Sequence, residues 1–234
     1  MGQKKLLRFE AIKSFTNVLQ HPADMAGKWD NFFTNKQPLT LELACGKGEY
    51  TVGLGRMHPA RNFLGVDIKG NRLYIGAKKA LEQQLTNTGF MRAQIDAIDA
   101  YFVPGEVNEI WLTFPDPQLR KSRAKKRLTH PRFLRKYQQV LQPGALIHLK
   151  TDSPVLYRFT QKVIELYGCT LVKSYDDVYM QASEPELLQI KTHYEGLDIA
   201  QSGKIFYLCF MLPSNTLSME DSDLKNWVFE NESD

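Results

Sequence analysis

Two glycines, Gly46 and Gly48, follow the apolar run Leu39–Cys45 directly, and nineteen residues after Gly48 a second apolar run ends in Asp67. Glycines placed after a strand let the backbone approach a ligand and turn into a helix. An acid that ends the next strand can bind both hydroxyls of a ribose. The glycines alone would also serve a plain strand–helix turn, so it is their spacing from Asp67 that points to a nucleotide. A dinucleotide site asks for a third glycine, so that a pyrophosphate can sit on the helix N-terminus. Here that position is Thr51, and Glu42 inside the first strand is a poor neighbour for phosphate. The acids better suit a ligand without phosphates that carries a cationic amino-acid end, and S-adenosylmethionine is such a ligand. Asp96, after a third strand, suits either the adenine edge or a helix N-cap.

A second constellation lies in Phe114–Leu128. Asp116 stands between Pro115 and Pro117, and Arg120, Lys121, Arg123, Lys125, Lys126 and Arg127 follow within eight positions. The prolines restrict the backbone on both sides of the carboxylate. Lys and Arg in such a run neutralise phosphates and position a nucleic acid without reading its bases. Taken singly, the two features also fit a rigid turn and a solvated loop or a nuclear localisation signal. The chain's net charge of +4 is uneven. Residues 220–234 hold six acids and one base, so residues 1–219 carry +9, which suits a polyanionic partner.

The elements that must position these residues alternate. Strands are expected at 39–45, 62–67, 89–95, 108–114 and 144–151. Helices are expected at 48–58, 71–85 (Leu73, Ala77, Ala80 and Leu81 on one face), 130–141 and 153–167. In the last, Ser153 is the N-cap and Pro154 opens the first turn. This order implies an α/β fold with a mainly parallel, doubly wound sheet. Two further strands, 169–175 and 204–212, have no helix-length crossover between them, so the last is expected to run antiparallel. Residues 6–20 read as one amphipathic helix, and 176–203 as a loop with one short helix. The division expected is a helical extension over 1–37, a catalytic domain over 38–212 and an acidic tail over 213–234, with Trp227, Val228 and Phe229 as its anchors.

The three cysteines are scattered, without a Cys-x-x-Cys pair, so neither a zinc site nor a disulfide framework is suggested. No metal is expected. A reducing, cytoplasmic setting fits, as does the lack of a signal-like N-terminus or a membrane-length apolar run. Met1-Gly2 does not start a myristoylation signal, because position 6 is Leu6.

The stretches LELACGKGEY, FLGVDIKGNR, AQIDA, FPDP with its basic continuation, LKTD and THYE occur in an order that resembles the bacterial tRNA (guanine-N7-)-methyltransferase family, over roughly residues 38–211. The resemblance implies a Rossmann-like methyltransferase fold, S-adenosylmethionine as donor and a guanosine in the tRNA variable loop as target. It implies cofactor contacts from Glu42, Asp67, Asp96 and Asp116, beside Gly46 and Gly48. It implies substrate contacts from Arg120, Asp152, Thr192, His193, Tyr194 and Glu195. It implies RNA contacts from Ser122, Arg123, Ala124, Lys125, Lys126 and Arg127. The chain departs from the family pattern in three places. Ala44 stands where the family usually has Gly, Gln118-Leu119-Arg120 where it has Trp-Pro-Lys, and Ser122-Arg123 where it has Arg-His.

Guanine N7 carries a free lone pair, so methylation there needs alignment and charge stabilisation rather than a base. Asp116 is the residue expected to do this. Tyr194 and Glu195 would stack on the base and bind its edge. The alternatives are another S-adenosylmethionine-dependent RNA methyltransferase, acting on an exocyclic amine, and a non-catalytic RNA-binding Rossmann module. A nicotinamide-dependent enzyme is third. No obligatory protein partner and no membrane are expected, and the protein would act as a monomer or homodimer.

Overall fold

The computed structural model describes residues 2–180, 185–197 and 199–233. Glu184 of the 176–203 segment, Met1 and the terminal acid Asp234 lie outside the described residues.

An eight-stranded sheet forms the centre. Its strands are β1 (Val18–Gln20), β2 (Leu39–Leu43), β3 (Asn62–Asp67), β4 (Thr88–Arg92), β5 (Val107–Thr113), β6 (Leu141–Thr151), β7 (Thr170–Tyr175) and β8 (Phe206–Met211). They lie in the order β1-β4-β3-β2-β5-β6-β8-β7. The run from β1 to β6 is parallel, and β8 pairs antiparallel with both β6 and β7. The order reverses beside β2, which pairs with β3 on one side and β5 on the other. Ligands of open α/β sheets sit outside the carboxyl ends of strands at such a point. Helices α3 (Glu49–Met57), α4 (Gly70–Glu82), α5 (Pro131–Val140) and α6 (Pro154–Leu166) make the connections. Ser153 caps α6 by accepting from Leu156 N at 3.2 Å. Leu73, Ala77 and Ala80 are buried under α4, while Leu81 is exposed, one step round the helix from that face.

The N-terminal segment does not form one helix over 6–20. Helix α1 (Gly2–Ala11) gives way to a 3-10 turn, and residues 18–20 add β1 to the free edge of β4. That edge supplies ladder bonds a helix cannot reach: Phe90 N donates to Asn17 O at 2.8 Å, and Val18 is buried. Helix α2 (Trp29–Phe33) buries Trp29 and Phe33 in the main core, where Trp29 stacks on Phe102 at 5.2 Å. The acidic tail forms helix α7 (Ser222–Asn231). Leu224 and Val228 anchor it, while Phe229 stays 75% exposed. Asp221 holds the start of α7 to Arg135 at 3.2 Å and to the Tyr167 hydroxyl at 2.6 Å.

A carboxyl group is among the polar groups buried in this frame. Glu42, on β2, is buried. One carboxyl oxygen accepts from the Thr51 amide at 2.7 Å and from the Thr51 hydroxyl, and the other accepts from Thr113 Oγ1 at 2.6 Å. The carboxyl therefore ties β2 to the first turn of α3 and to the end of β5. Burial pushes its pKa up from 4.5 to about 7, against the bonds from Thr113 and Thr51 that favour the charged form. A raised carboxyl pKa means that the folded state holds a proton the unfolded chain has released. Stability is thus unaffected by this group below about pH 4.5 and falls as pH rises towards 7. Wild-type stability should drop by about 3 kcal/mol between about pH 5 and pH 8 through this group, and Glu42→Gln should lack that drop. Urea unfolding of both proteins at the two pH values checks it, and equal pH dependence in both would remove Glu42 as the source.

Candidate functional site

The carboxyl ends of the parallel strands open onto one cleft of about 800 Å³. Asp67 closes β3, and Asp96, Asp116 and Asp152 follow β4, β5 and β6. All four line the cleft, with Ala44 and Tyr194. They are spread over 86 residues of sequence, and the parallel arrangement alone gathers them.

The turn after β2 is built in the left-handed region, with φ of 59° at Ala44, 57° at Gly46 and 70° at Gly48. Glycine takes this conformation freely, whereas a residue with a Cβ is strained by about 1–2 kcal/mol. Ala44 carries that strain at the wall of the cleft. Gly46 N donates to Asp67 Oδ2 at 3.0 Å, and Lys69 N to Oδ1 at 2.8 Å, so the turn and the acid orient each other. Neither Gly46 nor Gly48 lines the cleft. A Cβ on Gly48 would stand 2.5 Å from the Phe90 ring, so packing and the positive φ together demand that glycine.

Glu42 corrects an expectation as well. It lies under the turn rather than in the cleft, with both oxygens engaged by Thr51 and Thr113, so it shapes the site without facing it. The same bond removes one donor that a dinucleotide would use. The Thr51 amide, in the first turn of α3, is the kind of donor a pyrophosphate uses, and Glu42 already occupies it. The Gly46 amide is likewise taken, by Asp67. The cleft offers four acids and apolar walls from Ile68, Ile95 and Phe114, with the bases Lys69, Arg72, Lys126 and Arg132 around them. The acids fit a ribose and a cationic end, and so fit S-adenosylmethionine.

Asp96 is not an N-cap. It lies within the 3-10 segment Ile95–Ala100, which Gln94 precedes, and it pairs with Arg132 at the mouth of the cleft. Asp116 is exposed, and its Oδ1 accepts from Gln118 N at 2.9 Å. Phe114 and Gln118, on either side of the Pro-Asp-Pro segment, have φ of 48° and 46°. Left-handed non-glycine residues in pairs mark a loop that its surroundings hold by force. Asp152 is half-buried and accepts from Ala200 N at 3.1 Å, drawing the segment 199–200 to the rim.

Of the four residues 192–195, only Tyr194 lines the cleft, its ring 5.4 Å from the Arg72 guanidinium. Thr192 is buried, and its hydroxyl accepts from Glu195 N at 3.1 Å. His193 is exposed, and its amide donates to Glu49 at 3.4 Å. Glu195 does not offer its carboxylate to a base edge. Its side chain is 5% exposed and bonded to Lys150 Nζ at 3.0 Å and to the Tyr179 hydroxyl. Lys150 also donates to the carbonyls of Leu188 and Ile190, at 2.7 and 3.2 Å. A lysine inside an apolar strand is the one signal that could have found it in the sequence.

The basic run divides. Arg120, Ser122, Arg123, Lys125 and Lys126 are exposed, and Lys126 reaches the cleft. Lys121 donates to Phe229 O at 2.9 Å. Ala124 is 7% exposed and Arg127 fully buried, so neither presents a side chain to an RNA, contrary to the expectation for the whole run. Arg72, Lys69 and Arg132 line the cleft instead. Lys69 and Arg72 closely follow a strand end in the sequence, whereas Arg132, in the first turn of α5, carries no such signal. Among the described residues, no group of three or more His, Cys, Asp or Glu side chains could hold a metal ion.

A family model described as a putative methyltransferase matches residues 36–208. The tRNA (guanine-N(7)-)-methyltransferase of Bacteroides thetaiotaomicron is 42% identical over 229 residues, covering 94% of this chain and 90% of that protein. The protein of the same name from Christiangramia forsetii is 43% identical, covering 91% of this chain and all of the relative. Among solved structures, the 16S rRNA methyltransferase KamB superposes with a TM-score of 0.60 at 16% identity, covering 84% of this chain and 99% of that one. This last likeness concerns the fold. With the acids gathered at the strand ends, the turn after β2 and the sequence match over nine-tenths of its length, the chain belongs to the tRNA (guanine-N(7)-)-methyltransferase family.

Proposed function

We propose that the protein transfers a methyl group from S-adenosylmethionine to N7 of a guanosine in the variable loop of tRNA. The observation that carries this is one cleft lined by four strand-end acids, with exposed bases at its mouth and the first-turn amide of α3 already taken by Glu42 rather than left for a pyrophosphate. S-adenosylmethionine, when bound, supplies an electrophilic methyl group.

The chain's own residues have separable tasks. Asp67, oriented by Gly46 and Lys69, would hold the ribose hydroxyls, and Asp96 the adenine edge. Asp116 follows the central strand β5 and has its backbone held by two prolines. It would accept from the N–H edge of guanine and stabilise the positive charge that grows on the ring. N7 has no proton to lose, so no general base is required. Tyr194 would stack on the target base, with Thr192, Glu195 and Lys150 fixing the segment that carries it. Asp152 closes the rim beside it. Arg120, Arg123, Lys125 and Lys126 would meet phosphates. A tRNA-modifying enzyme of this kind works in the cytoplasm, as a monomer or homodimer without an obligatory partner. Among the described residues, no helix is long and apolar enough to cross a membrane.

Incubation with labelled S-adenosylmethionine and unmodified total tRNA should yield labelled 7-methylguanosine. Label in an N-methylated exocyclic amine, or none at all, would overturn the assignment.

Asp116→Asn keeps the shape of the loop and should bind S-adenosylmethionine as the parent does. Its single-turnover transfer rate should fall by about 10²-fold or more, the scale set by removing one group that stabilises transition-state charge. An unchanged rate would reduce Asp116 to a turn residue.

Lys125→Ala with Lys126→Ala should weaken tRNA binding without changing the melting temperature. Taking two cations away from the phosphates should lower the slope of log affinity against log salt by at most about 2. A slope equal to the parent's would take both lysines out of the RNA interface.

A further inference from the structure

Arg127 is the last base of the run after Asp116, and it is the buried one. Its guanidinium is fully enclosed and lies 4.4 Å from the centre of the Phe159 ring. Nε donates to the carbonyl of Pro117 at 3.0 Å and one Nη to that of Gln118 at 3.2 Å. The other side of the fork meets Glu232, with both Nη–Oε distances at 2.6 Å. Glu232 lies just beyond α7, 105 residues away in the chain, and its side chain is 6% exposed. One acid of the tail and one base of the run have left the surface together. Between them they grip the two peptide carbonyls that follow Asp116.

Those carbonyls belong to a loop that does not rest in a relaxed conformation. Gln118 sits at φ 46° and Phe114 at φ 48°. Pro115 and Pro117 line the cleft beside Asp116. Prolines restrict φ but donate nothing, so the loop's own amides cannot tie it down at those two positions. Phe114 N is tied to Lys150 O and Gln118 N to Asp116, and the carbonyls of 117 and 118 are the further handles. A planar fork with several fixed donors is suited to take both while pairing with a carboxylate.

We infer that Arg127, locked by Glu232 and Phe159, is a positioning residue that sets the Pro115–Gln118 loop for methyl transfer, and that the C-terminal tail is thereby a working part of the active site. This rests on the role proposed for the cleft and Asp116. A buried Arg127 touches neither RNA nor donor, so its loss should appear in the rate of the chemical step and not in tRNA affinity. A misplacement of about 1 Å in a catalytic group costs on the order of 10²-fold in rate.

The test uses the full chain with two alterations. Arg127→Lys keeps a cation opposite Glu232, but a single ammonium cannot reach both carbonyls and the carboxylate in the same plane. Arg127→Met with Glu232→Met removes both buried charges together, so neither is left uncompensated. Melting curves are recorded for both. Single-turnover methylation is measured at saturating S-adenosylmethionine and tRNA, well below the melting temperature, alongside Asp116→Asn. The salt dependence of tRNA binding is measured on the same samples.

Both variants should lose about ten- to a hundredfold in single-turnover rate, with the tRNA salt slope equal to the parent's. Rates equal to the parent's, at whatever melting temperature, would overturn the inference. So would a salt slope lowered by about one, which would make Arg127 a phosphate ligand. If Asp116→Asn loses rate and the Arg127 variants do not, the positioning role fails and that of Asp116 stands. If the Arg127 variants lose rate and Asp116→Asn does not, loop positioning stands and the role given to Asp116 fails.

Discussion

The buried carboxyl of Glu42 is the constraint on which the site depends. It sits on the strand where the sheet reverses its winding, and it bonds the first turn of α3 and the end of β5 at once. A carboxyl in that position is costly to desolvate, which is why its pKa lies near neutrality. In return it satisfies a helix-terminal amide that would otherwise invite an anion. The Gly46 amide of the left-handed turn that follows can then serve Asp67 instead of a phosphate. The ligand class follows from where one acid has been placed.

Buried and half-buried polar pairs hold several of the segments around the cleft. Lys150 and Glu195 hold the Tyr194 segment, Arg127 and Glu232 hold the Pro-Asp-Pro loop, and Asp221 with Arg135 and Tyr167 starts the helix that carries Glu232 towards its partner. Ion pairs of this kind add little net stability over apolar packing, but breaking one by removing a single partner costs about 3–5 kcal/mol. They therefore specify geometry more than they strengthen the fold.

The charge along the chain reads differently once it is folded. A run of six bases suggested a continuous patch, yet two of them are committed to the protein itself, Lys121 to Phe229 and Arg127 to Glu232. Of the exposed remainder, Lys126 reaches the cleft, where Arg132 and Lys69 from other elements join it. The acidic tail does not trail away from this surface. Its helix packs behind it, turned so that Leu224 and Val228 enter the core.

Local patterns in the sequence determined much of this protein. Apolar runs of strand length alternating with helical periods reported β2 to β6 and α3 to α6, because β2 and β3 are buried along their whole length and each helix buries one face. Residues such as Asp67 and Asp116 were legible because strand ends and their acids are neighbours in the chain. Tertiary structure alone decided the rest. Residues 18–20 became a strand because a free sheet edge outbid a weak helical period. Glu42, Gly48, Glu195 and Arg127 took structural tasks because their partners, Thr113, Phe90, Lys150 and Glu232, lie 71, 42, 45 and 105 residues away. A charged side chain's role depends on which partner replaces its water. That partner is found only when the chain has closed on itself.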